Sequence, residues 1–277
     1  MKIKEARAMS NRPQRIARRA FNILGLRRQR IAWLFLLGVN NSGTTLLERI
    51  LGLHPEISKL PEEGHYLSRT FPSPNQLKVR RIWTERLEEF RLASADGNGL
   101  AASRLKWDWL CHYPADERTR FLMEKSPPNT VRSPWLQHHF RPASFIALTR
   151  SPFAVAEGIR RREGCSVERA ARHWAVANEI LLDDLDRLDD ALLLSYEDLC
   201  ADPPKVTSRI TRFLKIDQFP YEFLCESFPI HNVTGQPSLV KDFNDSSIQM
   251  LSADDICRIE DIAGEVMTRL GYKFLTG

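Results

Sequence analysis

Cysteine is scarce and scattered in this chain of 277 residues. The sequence has five cysteines, and no two of them stand in a Cys-x-x-Cys pair. So few cysteines exclude a disulfide scaffold, and their spacing excludes a zinc site of the Cys-x-x-Cys type. The histidines include a His138-His139 dipeptide but no pair four residues apart on one helical face. We therefore expect no bound metal, a reducing compartment and a cytoplasmic location.

Long apolar runs are also missing. The longest one, residues 31–39, has nine residues including Gly38, whereas a membrane-spanning helix needs about 20. Hydrophobic residues make up 43% of the chain and charged residues 27%, which is typical of a globular protein rather than a collagen or a disordered chain. The sequence has no internal repeat and no convincing linker. We therefore expect one domain over residues 31–277, preceded by a separate arm.

Excess positive charge is confined to that arm. Residues 1–30 contain ten basic residues and one acid, which gives +9, whereas the whole chain carries +5 and residues 31–277 therefore carry −4. Apolar residues of the arm fall on one side of a helix with arginines on the other, a pattern that permits weak, peripheral contact with a membrane surface. The alternatives are a solvated extension and a helix packed on the protein's own sheet. We expect no nucleic-acid partner.

Short apolar segments alternate with amphipathic segments along the rest of the chain. The apolar segments predict strands over residues 31–39, 120–124, 144–149 and 191–195. The amphipathic segments predict helices over residues 44–53, 76–93, 130–140, 153–162, 167–188, 205–214 and 253–270. Such alternation is typical of a parallel sheet that is covered on both faces. We therefore predict an α/β fold with a P-loop-type parallel sheet flanked by helices on both faces.

A glycine-bearing turn joins the first predicted strand to the first predicted helix. It reads Gly38-Val39-Asn40-Asn41-Ser42-Gly43-Thr44-Thr45. The N–H groups at a helix N-terminus have no partner within the helix, and the helix dipole makes that end positive, so such a turn suits a phosphate. We predict that six residues of the turn bind it: Asn40, Asn41, Ser42, Gly43, Thr44 and Thr45.

The spacing of this turn is that of a Walker loop with one residue exchanged. Thr44 stands where a lysine normally serves the β and γ phosphates of a nucleoside triphosphate. The exchange argues against a kinase or an ATPase and favours a ligand with a shorter anionic chain. Two alternatives stay open at this point: a P-loop phosphotransferase that needs magnesium, and an ordinary strand–turn–helix connection without a ligand.

Residues 36–47, followed by Leu53-His54-Pro55, resemble the 5′-phosphosulfate loop of sulfotransferases that use 3′-phosphoadenosine 5′-phosphosulfate (PAPS). The similarity is greatest to the branch with tyrosylprotein sulfotransferases and many bacterial homologues. Further matching segments follow in the family's order: Glu124-Lys125-Ser126-Pro127, residues 141–152, residues 195–199 and Leu270-Gly271-Tyr272. The resemblance implies a sulfotransferase-like fold, PAPS as co-substrate, adenosine 3′,5′-bisphosphate (PAP) as product, and metal-independent in-line transfer to a hydroxyl.

The resemblance also assigns residues to the nucleotide's 3′-phosphate. Arg150 ends a predicted strand, where binding residues of open α/β sheets gather, and its guanidinium can hold a phosphate through two hydrogen bonds. The family has a serine eight residues later, where this chain has Gly158. Tyr196 lies in a segment that the family uses near the nucleotide. Lys241 lies where the family closes a basic loop over the 3′-phosphate.

One departure from the family pattern lies in the loop itself. The family has lysine or arginine before Ser-Gly-Thr-Thr, where this chain has Asn41. A charged hydrogen bond contributes roughly 1.5–3 kcal/mol, so its loss should cost about one to two decades in rate. We expect a slow enzyme in which Lys125 is the substitute cation. A non-catalytic or degenerate nucleotide-binding protein stays open as the alternative.

The acceptor side needs a base that takes the hydroxyl proton. The segment Pro61-Glu62-Glu63-Gly64-His65 follows the first predicted helix, and its family counterpart carries a glutamate as base. We predict that Glu63 is this base, with Glu62 and His65 as alternates. The alternative is a solvated acidic loop without a catalytic role. We also expect three tryptophans and several arginines to shape the acceptor pocket: Trp83, Trp107 and Trp109. The acceptor is a carbohydrate, a peptide tyrosine, a lipid or a natural product.

Overall fold

A computed structural model describes residues 31–92, 98–114, 116–219 and 241–276. The predicted basic arm, residues 1–30, lies outside the described residues. Five parallel strands form one sheet in the order β2-β3-β1-β4-β5 within the described part. The strands are β1 (Ala32–Leu37), β2 (Ile57–Lys59), β3 (Phe121–Lys125), β4 (Ala143–Thr149) and β5 (Ala191–Ser195).

The helices connect and cover these strands. The described α-helices are α1 (Thr44–Leu51), α2 (Gly64–Leu67), α3 (Leu87–Phe90), α4 (Gly99–Leu110), α5 (Ser133–His139), α6 (Pro152–Glu163), α7 (Val167–Leu185), α8 (Tyr196–Ala201), α9 (Pro203–Leu214), α10 (Asn244–Ile248) and α11 (Ala253–Leu270). Two 3₁₀ helices span Trp83–Arg86 and Pro127–Val131. None of the described helices combines the length and the apolar character that crossing a bilayer requires.

Both faces of the sheet are buried, which confirms the predicted fold class. Side chains alternate along a strand, so successive residues of β1 enter different cores. Leu34 and Leu36 pack with α1, α8 and α9 on one face. Trp33 and Phe35 pack with α4 and α5 on the other. Since β1 is covered on both sides, it reads as a continuous apolar run in the sequence.

A third cluster of apolar side chains lies between α6, α7 and α11. Phe153 of α6, Trp174 of α7 and Ile259 of α11 are all buried in it. His173, beside Trp174, is 1% exposed. This packing fixes α6 immediately after the end of β4, next to the turn that follows β1.

The predicted helix over residues 76–93 is wrong. Lys78 has a φ of 59°, a left-handed conformation that a right-handed helix does not continue through. Val79, Trp83 and Phe90 are buried in the third apolar cluster, and only the short 3₁₀ helix and α3 form in this stretch. Tertiary packing of apolar side chains therefore overrides the helical spacing of the charged ones.

The predicted helix over residues 130–140 divides into two elements. The 3₁₀ helix Pro127–Val131 ends before Arg132, whose φ of −136° and ψ of 23° are not helical, and α5 then begins next to Pro134. A proline is favourable in the first turn of a helix and unfavourable inside one. The helix α4 was absent from the sequence-based prediction, which ended its surface helix at Ala93.

Candidate active site

The candidate residues meet at one edge of the sheet. Parallel strands all end on the same side, and ligands of open α/β sheets bind at that side. The strands β1, β4 and β5 are neighbours, and the turn after Leu37, Arg150 and Tyr196 follow their carboxyl ends directly. The segment that holds Lys125 and Ser126 ends β3, on the other side of β1. The topology therefore brings four separate sequence segments to one place.

The turn after β1 has a backbone that few residues can adopt. Gly38, Asn41 and Gly43 have φ values of 149°, 68° and 94°. A Cβ on Gly43 would stand 2.5 Å from the Tyr196 ring, and one on Gly38 would stand 2.6 Å from the Leu148 carbonyl oxygen. Asparagine is one of the few side-chain-bearing residues that tolerate the left-handed region. The geometry therefore requires glycine at positions 38 and 43 and is compatible with asparagine at position 41.

Unused hydrogen-bond donors face out of this turn at the N-terminus of α1. The Gly43 carbonyl accepts from the N–H groups of Leu46 and Leu47, whereas those of Thr44 and Thr45 have no acceptor within the described residues. No side chain caps the helix. Free N–H groups and the positive end of the helix dipole suit an anion. Ser42 lies beneath the turn instead, with its buried Oγ facing Gly38 and without a partner among the described residues.

Arg150 lies beside the turn and supports it. Its Nη1 donates to the Asn41 carbonyl oxygen at 3.0 Å, its Nε donates to Asn244 Oδ1 at 2.8 Å, and its guanidinium lies 4.1 Å from the centre of the Tyr196 ring. Its Nη2 makes no hydrogen bond to any described residue. Arg150, Thr44, Thr45 and Tyr196 line a cavity of about 450 Å³, called here the donor cavity.

Glu197 explains how Arg150 keeps its orientation. Its Oε1 accepts from the Ser151 N–H at 2.9 Å and from Asn244 Nδ2 at 2.6 Å. Asn244 Oδ1 in turn accepts from Arg150, so the carboxylate aligns the guanidinium through one intermediate side chain. Tyr272 adds a hydrogen bond from its hydroxyl to Glu197 Oε2 at 3.3 Å. These contacts link the matching segments at residues 195–199 and 270–272 to one arginine.

Two residues predicted for the donor site, Tyr196 and Lys241, contact each other. Burial raises the pKa of Tyr196, whose ring lies under Arg150 and whose hydroxyl donates to the Lys241 carbonyl oxygen at 3.0 Å. The structure thus places the Lys241 backbone at the edge of the site, and the lysine is not among the residues that line the donor cavity. Its expected contact with a 3′-phosphate stays a prediction.

The two departures from the family pattern contact each other. Gly158 lies in the middle of α6, and a Cβ there would stand 2.9 Å from Asn41 Nδ2 and 3.4 Å from its Cγ. The Asn41 carboxamide therefore lies directly over Gly158, and both residues line the donor cavity. A larger residue at position 158 would displace the asparagine. Positions 41 and 158 are far apart in the sequence, but the fold brings these two departures into contact.

A second cavity of about 420 Å³, called here the acceptor cavity, contains the predicted catalytic residues. Glu63 Oε1 accepts from Lys125 Nζ at 2.5 Å, and the same ammonium group lies 3.4 Å from Thr45 Oγ1 and 3.9 Å from Glu48 Oε2. Lys125 is nearly buried, with 7% of its side chain exposed, so a carboxylate partner offsets the cost of burying its charge. Glu62 lines this cavity as well.

His65 lies on the other side of Glu63, with its Nε2 3.4 Å from Glu63 Oε2. Burial lowers the pKa of His65 to about 3, and the nearby charges of Arg132 and Lys125 lower it further. The imidazole is therefore neutral at physiological pH. Neither ring nitrogen makes a hydrogen bond to a described residue. A neutral imidazole has one N–H donor and one nitrogen acceptor. It can therefore form a hydrogen bond beside the carboxylate without adding a charge there.

Gly64, between the two candidate catalytic residues, is fixed by two buried side chains. Its N–H donates to Glu124 Oε1 at 2.9 Å, and its carbonyl oxygen accepts from Trp109 Nε1 at 3.0 Å. Burial raises the pKa of Glu124 to about 7, although Ser126, Gly64 and Arg132 act in the opposite direction. The backbone that carries Glu63 is therefore held from beneath by hydrogen bonds.

The two cavities meet at the first turns of α1. Thr45 and Arg49, one helical turn apart, line both cavities. Asn40 lines the acceptor cavity, and its Oδ1 accepts from Trp83 Nε1 at 3.0 Å. A group bound at Thr45 is therefore accessible from both the donor cavity and the acceptor cavity.

Sequence reasoning missed several residues of the site and misplaced others. Trp83, Trp107 and Trp109 do not line the acceptor cavity: Trp83 and Trp109 are buried beneath it, and Trp107 is exposed on α4. Helical spacing from Thr45 gives a signal for Glu48 and Arg49. Glu124 and Glu197 lie in segments that match the family, whereas Arg162 and Asn244 depend on tertiary contacts. The missed residues are Glu48, Arg49, Glu124, Arg162, Glu197 and Asn244.

Comparison with known proteins identifies a matching family and a similar sequence. The family profile described as the sulfotransferase family matches residues 34–220. Protein-tyrosine sulfotransferase A of Caenorhabditis elegans is 24% identical over 258 residues, which cover 87% of this chain and 67% of that protein.

Two solved structures share the fold. The sulfotransferase domain of the Synechococcus PCC 7002 olefin synthase has a TM-score of 0.52 at 24% identity, with 85% of this chain and 96% of that chain covered. The sulfotransferase STF1 of Mycobacterium tuberculosis H37Rv has a TM-score of 0.53 at 14% identity, with 87% of this chain and 78% of that chain covered. The resemblance found in the sequence is confirmed, and the chain belongs to the sulfotransferase family.

Proposed function

We propose that this protein transfers a sulfuryl group from PAPS to a hydroxyl group of an acceptor. Family membership implies sulfuryl transfer, and the identity of the donor is our inference. The observation that supports it best is the arrangement of the two cavities, which share Thr45 and Arg49. Transfer between a donor and an acceptor needs two binding volumes with one common boundary. At that boundary the Thr45 N–H group has no acceptor within the part of the chain that the structure describes.

The donor cavity suits a nucleotide with two anionic ends. The N–H groups of Thr44 and Thr45, for which the described residues offer no acceptor, lie at one part of its wall, and the guanidinium of Arg150 lies at another. Both are ready-made anion sites, one through the helix N-terminus and one through a charged fork. We assign the 5′-phosphosulfate to the first and the 3′-phosphate to the second. Bound there, PAPS supplies an activated sulfuryl group on a phosphate leaving group.

Glu63 is the proposed base. A carboxylate that lines the acceptor cavity can take the proton of the incoming hydroxyl as the new S–O bond forms. Lys125 holds this carboxylate at 2.5 Å and also lies 3.4 Å from Thr45 Oγ1. The same ammonium group can therefore stabilise the negative charge of Glu63 before transfer and the charge that develops on the leaving group during transfer. This gives Lys125 the role of the cation that Asn41 does not supply.

A reacting hydroxyl group is the only chemical feature that our proposal requires of the acceptor. The name of the Caenorhabditis elegans relative makes a peptide tyrosine the first acceptor to test, before carbohydrate, lipid and natural-product hydroxyls. We place the reaction in the cytoplasm. Cys165, Cys200 and Cys257 are not in disulfide bonds, in keeping with a reducing compartment.

The donor is tested by titrating the full chain with PAP and with ATP plus magnesium. Tight binding of PAP and weak binding of ATP supports the proposal. Binding of ATP with magnesium alone would indicate a P-loop phosphotransferase, and binding of neither would indicate a protein without this nucleotide site. Mass spectrometry then follows sulfate from PAPS to a panel of tyrosine peptides, sugars and phenols.

The base is tested by Glu63→Gln, with Glu62→Gln as the matched control. Removal of a general base costs about 10²–10⁴-fold in rate, so turnover of Glu63→Gln should fall by at least a hundredfold while its affinity for PAP stays unchanged. Glu62→Gln should keep most of its turnover. A reversed pattern would assign the proton transfer to Glu62, and full activity in both variants would remove this loop from the chemistry.

A further inference from the structure

Arg49 is the charged residue that the donor cavity and the acceptor cavity share. Of the described residues, Thr45 and Arg49 line both cavities, and the others line one at most. Thr45 and Arg49 are four positions apart on α1, so their side chains project from the same face of the helix. A group that moves from the donor cavity to the acceptor cavity crosses the boundary between them. Arg49 therefore lies where the transferred group moves.

The charge of Arg49 has no counter-ion in the described part of the chain. Two other cations that line the acceptor cavity are paired, since Lys59 lies 3.5 Å from Glu48 and Arg81 pairs with Glu163. Arg49 is half-buried, yet its guanidinium forms neither a hydrogen bond nor an ion pair with any described residue. A partly buried charge without a partner is costly, and an anion beside it removes part of that cost.

The other cation near this boundary, Lys125, is already neutralised. Its Nζ lies 2.5 Å from Glu63 Oε1 and 3.9 Å from Glu48 Oε2. The turn after β1 has an uncharged residue, Asn41, at the position before Ser42. Arg49 is therefore the cation at this boundary whose charge no described carboxylate offsets. Its positive charge is available to an anionic group that passes between the two cavities.

We propose that Arg49 binds the sulfuryl group during its transfer and is a further catalytic residue. The inference rests on the proposed function, because the sulfuryl group is the one that PAPS donates. A guanidinium can offer two parallel N–H donors to two sulfuryl oxygens. The acceptor oxygen bonds to sulfur while the bond from sulfur to the 5′-phosphate oxygen breaks, Glu63 takes the hydroxyl proton, and PAP leaves. Arg49 exchanges no proton and holds the sulfuryl group in line between the two oxygens.

The contact is tested by titrating the full chain with PAPS and with PAP in the absence of an acceptor, because these two nucleotides differ by the sulfuryl group alone. Arg49→Met, which has a neutral side chain, should weaken PAPS binding about tenfold and leave PAP binding unchanged. This is the lower end for a charged hydrogen bond, since Arg49 is partly exposed. Turnover at saturating PAPS should fall about tenfold or more, because the sulfuryl group is no longer aligned. Arg49→Lys keeps the charge and should recover part of both losses.

Two arginines serve as matched controls for the loss of charge. Arg80 lines the acceptor cavity but not the donor cavity, and it too has no carboxylate partner among the described residues. Arg209 is exposed on α9 and lines neither cavity. Arg80→Met and Arg209→Met should both leave the ratio of PAPS affinity to PAP affinity unchanged, and Arg209→Met should also keep full turnover.

Three results for Arg49→Met would overturn the inference and leave the proposed function intact. Equal weakening of PAPS and PAP would assign Arg49 to a phosphate of the nucleotide. A higher KM for the acceptor with an unchanged affinity ratio would assign it to the acceptor, and unchanged binding and turnover would leave it without a role in transfer.

Failure of the unaltered protein to bind either nucleotide would overturn the proposed function and the inference together. Arg49 also lies in the last turn of α1, where a positive charge stabilises the helix. Thermal unfolding of each variant therefore accompanies the titrations and shows that any lost affinity comes from folded protein.

Discussion

Replacing Gly64 by alanine should displace the candidate base without removing any charged side chain from either cavity. A Cβ at this position would stand 2.6 Å from Glu124 Oε1 and 2.6 Å from Trp109 Nε1. Neither neighbour can move easily, because Glu124 is fully buried and also accepts from Ser126 and Asn129, and Trp109 is 1% exposed. The backbone of Gly64 must therefore shift, which displaces Glu63 and His65 on either side of it.

The magnitude follows from two contributions. Overpacking a buried site costs about 1–3 kcal/mol, and each of the two hydrogen bonds that Gly64 makes contributes about 1 kcal/mol. We expect Gly64→Ala to lower the free energy of unfolding by about 3–5 kcal/mol, which is about 1–1.5 M in the urea midpoint for an m-value of about 3 kcal/mol per M. Turnover should fall with it, whereas PAP affinity should not, because Gly64 does not line the donor cavity.

Gly99→Ala is the matched control for this change. Gly99 is the first residue of α4, as Gly64 is of α2, but a Cβ on Gly99 meets nothing within 4 Å. Alanine there should raise the free energy of unfolding by about 0.4–1 kcal/mol, because it restricts the unfolded chain. Urea unfolding of both variants measures these two changes in the free energy of unfolding. Equal stability and turnover of Gly64→Ala and the unaltered protein would refute the argument that this glycine holds the base in place.

Two further substitutions test the charges beneath and beside the base. The pKa of Glu124 is raised from 4.5 to about 7, so the folded protein should lose about 3 kcal/mol of stability as pH rises from about 4.5 to above 7, and Glu124→Gln should abolish this loss in urea unfolding at several pH values. A variant with the same pH dependence as the unaltered protein would contradict this. Lys125→Ala should lower turnover about 10- to 100-fold with PAP affinity nearly unchanged, as measured by steady-state kinetics and titration. A loss confined to PAP affinity would assign Lys125 to the donor instead.

The sheet could be predicted because its determinants are local. The central strand is a continuous apolar run that ends in Gly38, and the turn after it needs glycine at positions where no Cβ fits. Sequence order also brings together most of the proposed donor site, since Arg150 and Tyr196 directly follow neighbouring strands. Residues tied to strand ends are visible in a sequence because parallel strands share one edge.

What could not be predicted depends on contacts between distant segments. The two exchanges at Asn41 and Gly158 looked independent, and only the packing of α6 against the turn shows that one accommodates the other. Asn244 acts through two hydrogen bonds to residues 94 and 47 positions away, for which the sequence gives no signal. The helix expected over residues 76–93 does not form for the same reason. Trp83 and Phe90 pack in a core whose other members come mainly from helices later in the chain.

The central claim is that one nucleotide spans the start of α1 and Arg150. A crystal structure of the full chain with PAP measures this directly. We expect the 5′-phosphate within hydrogen-bond distance of the Thr44 and Thr45 N–H groups, and the 3′-phosphate within hydrogen-bond distance of Arg150. A nucleotide bound outside the donor cavity, or one whose 3′-phosphate points away from Arg150 into solvent, would contradict the account.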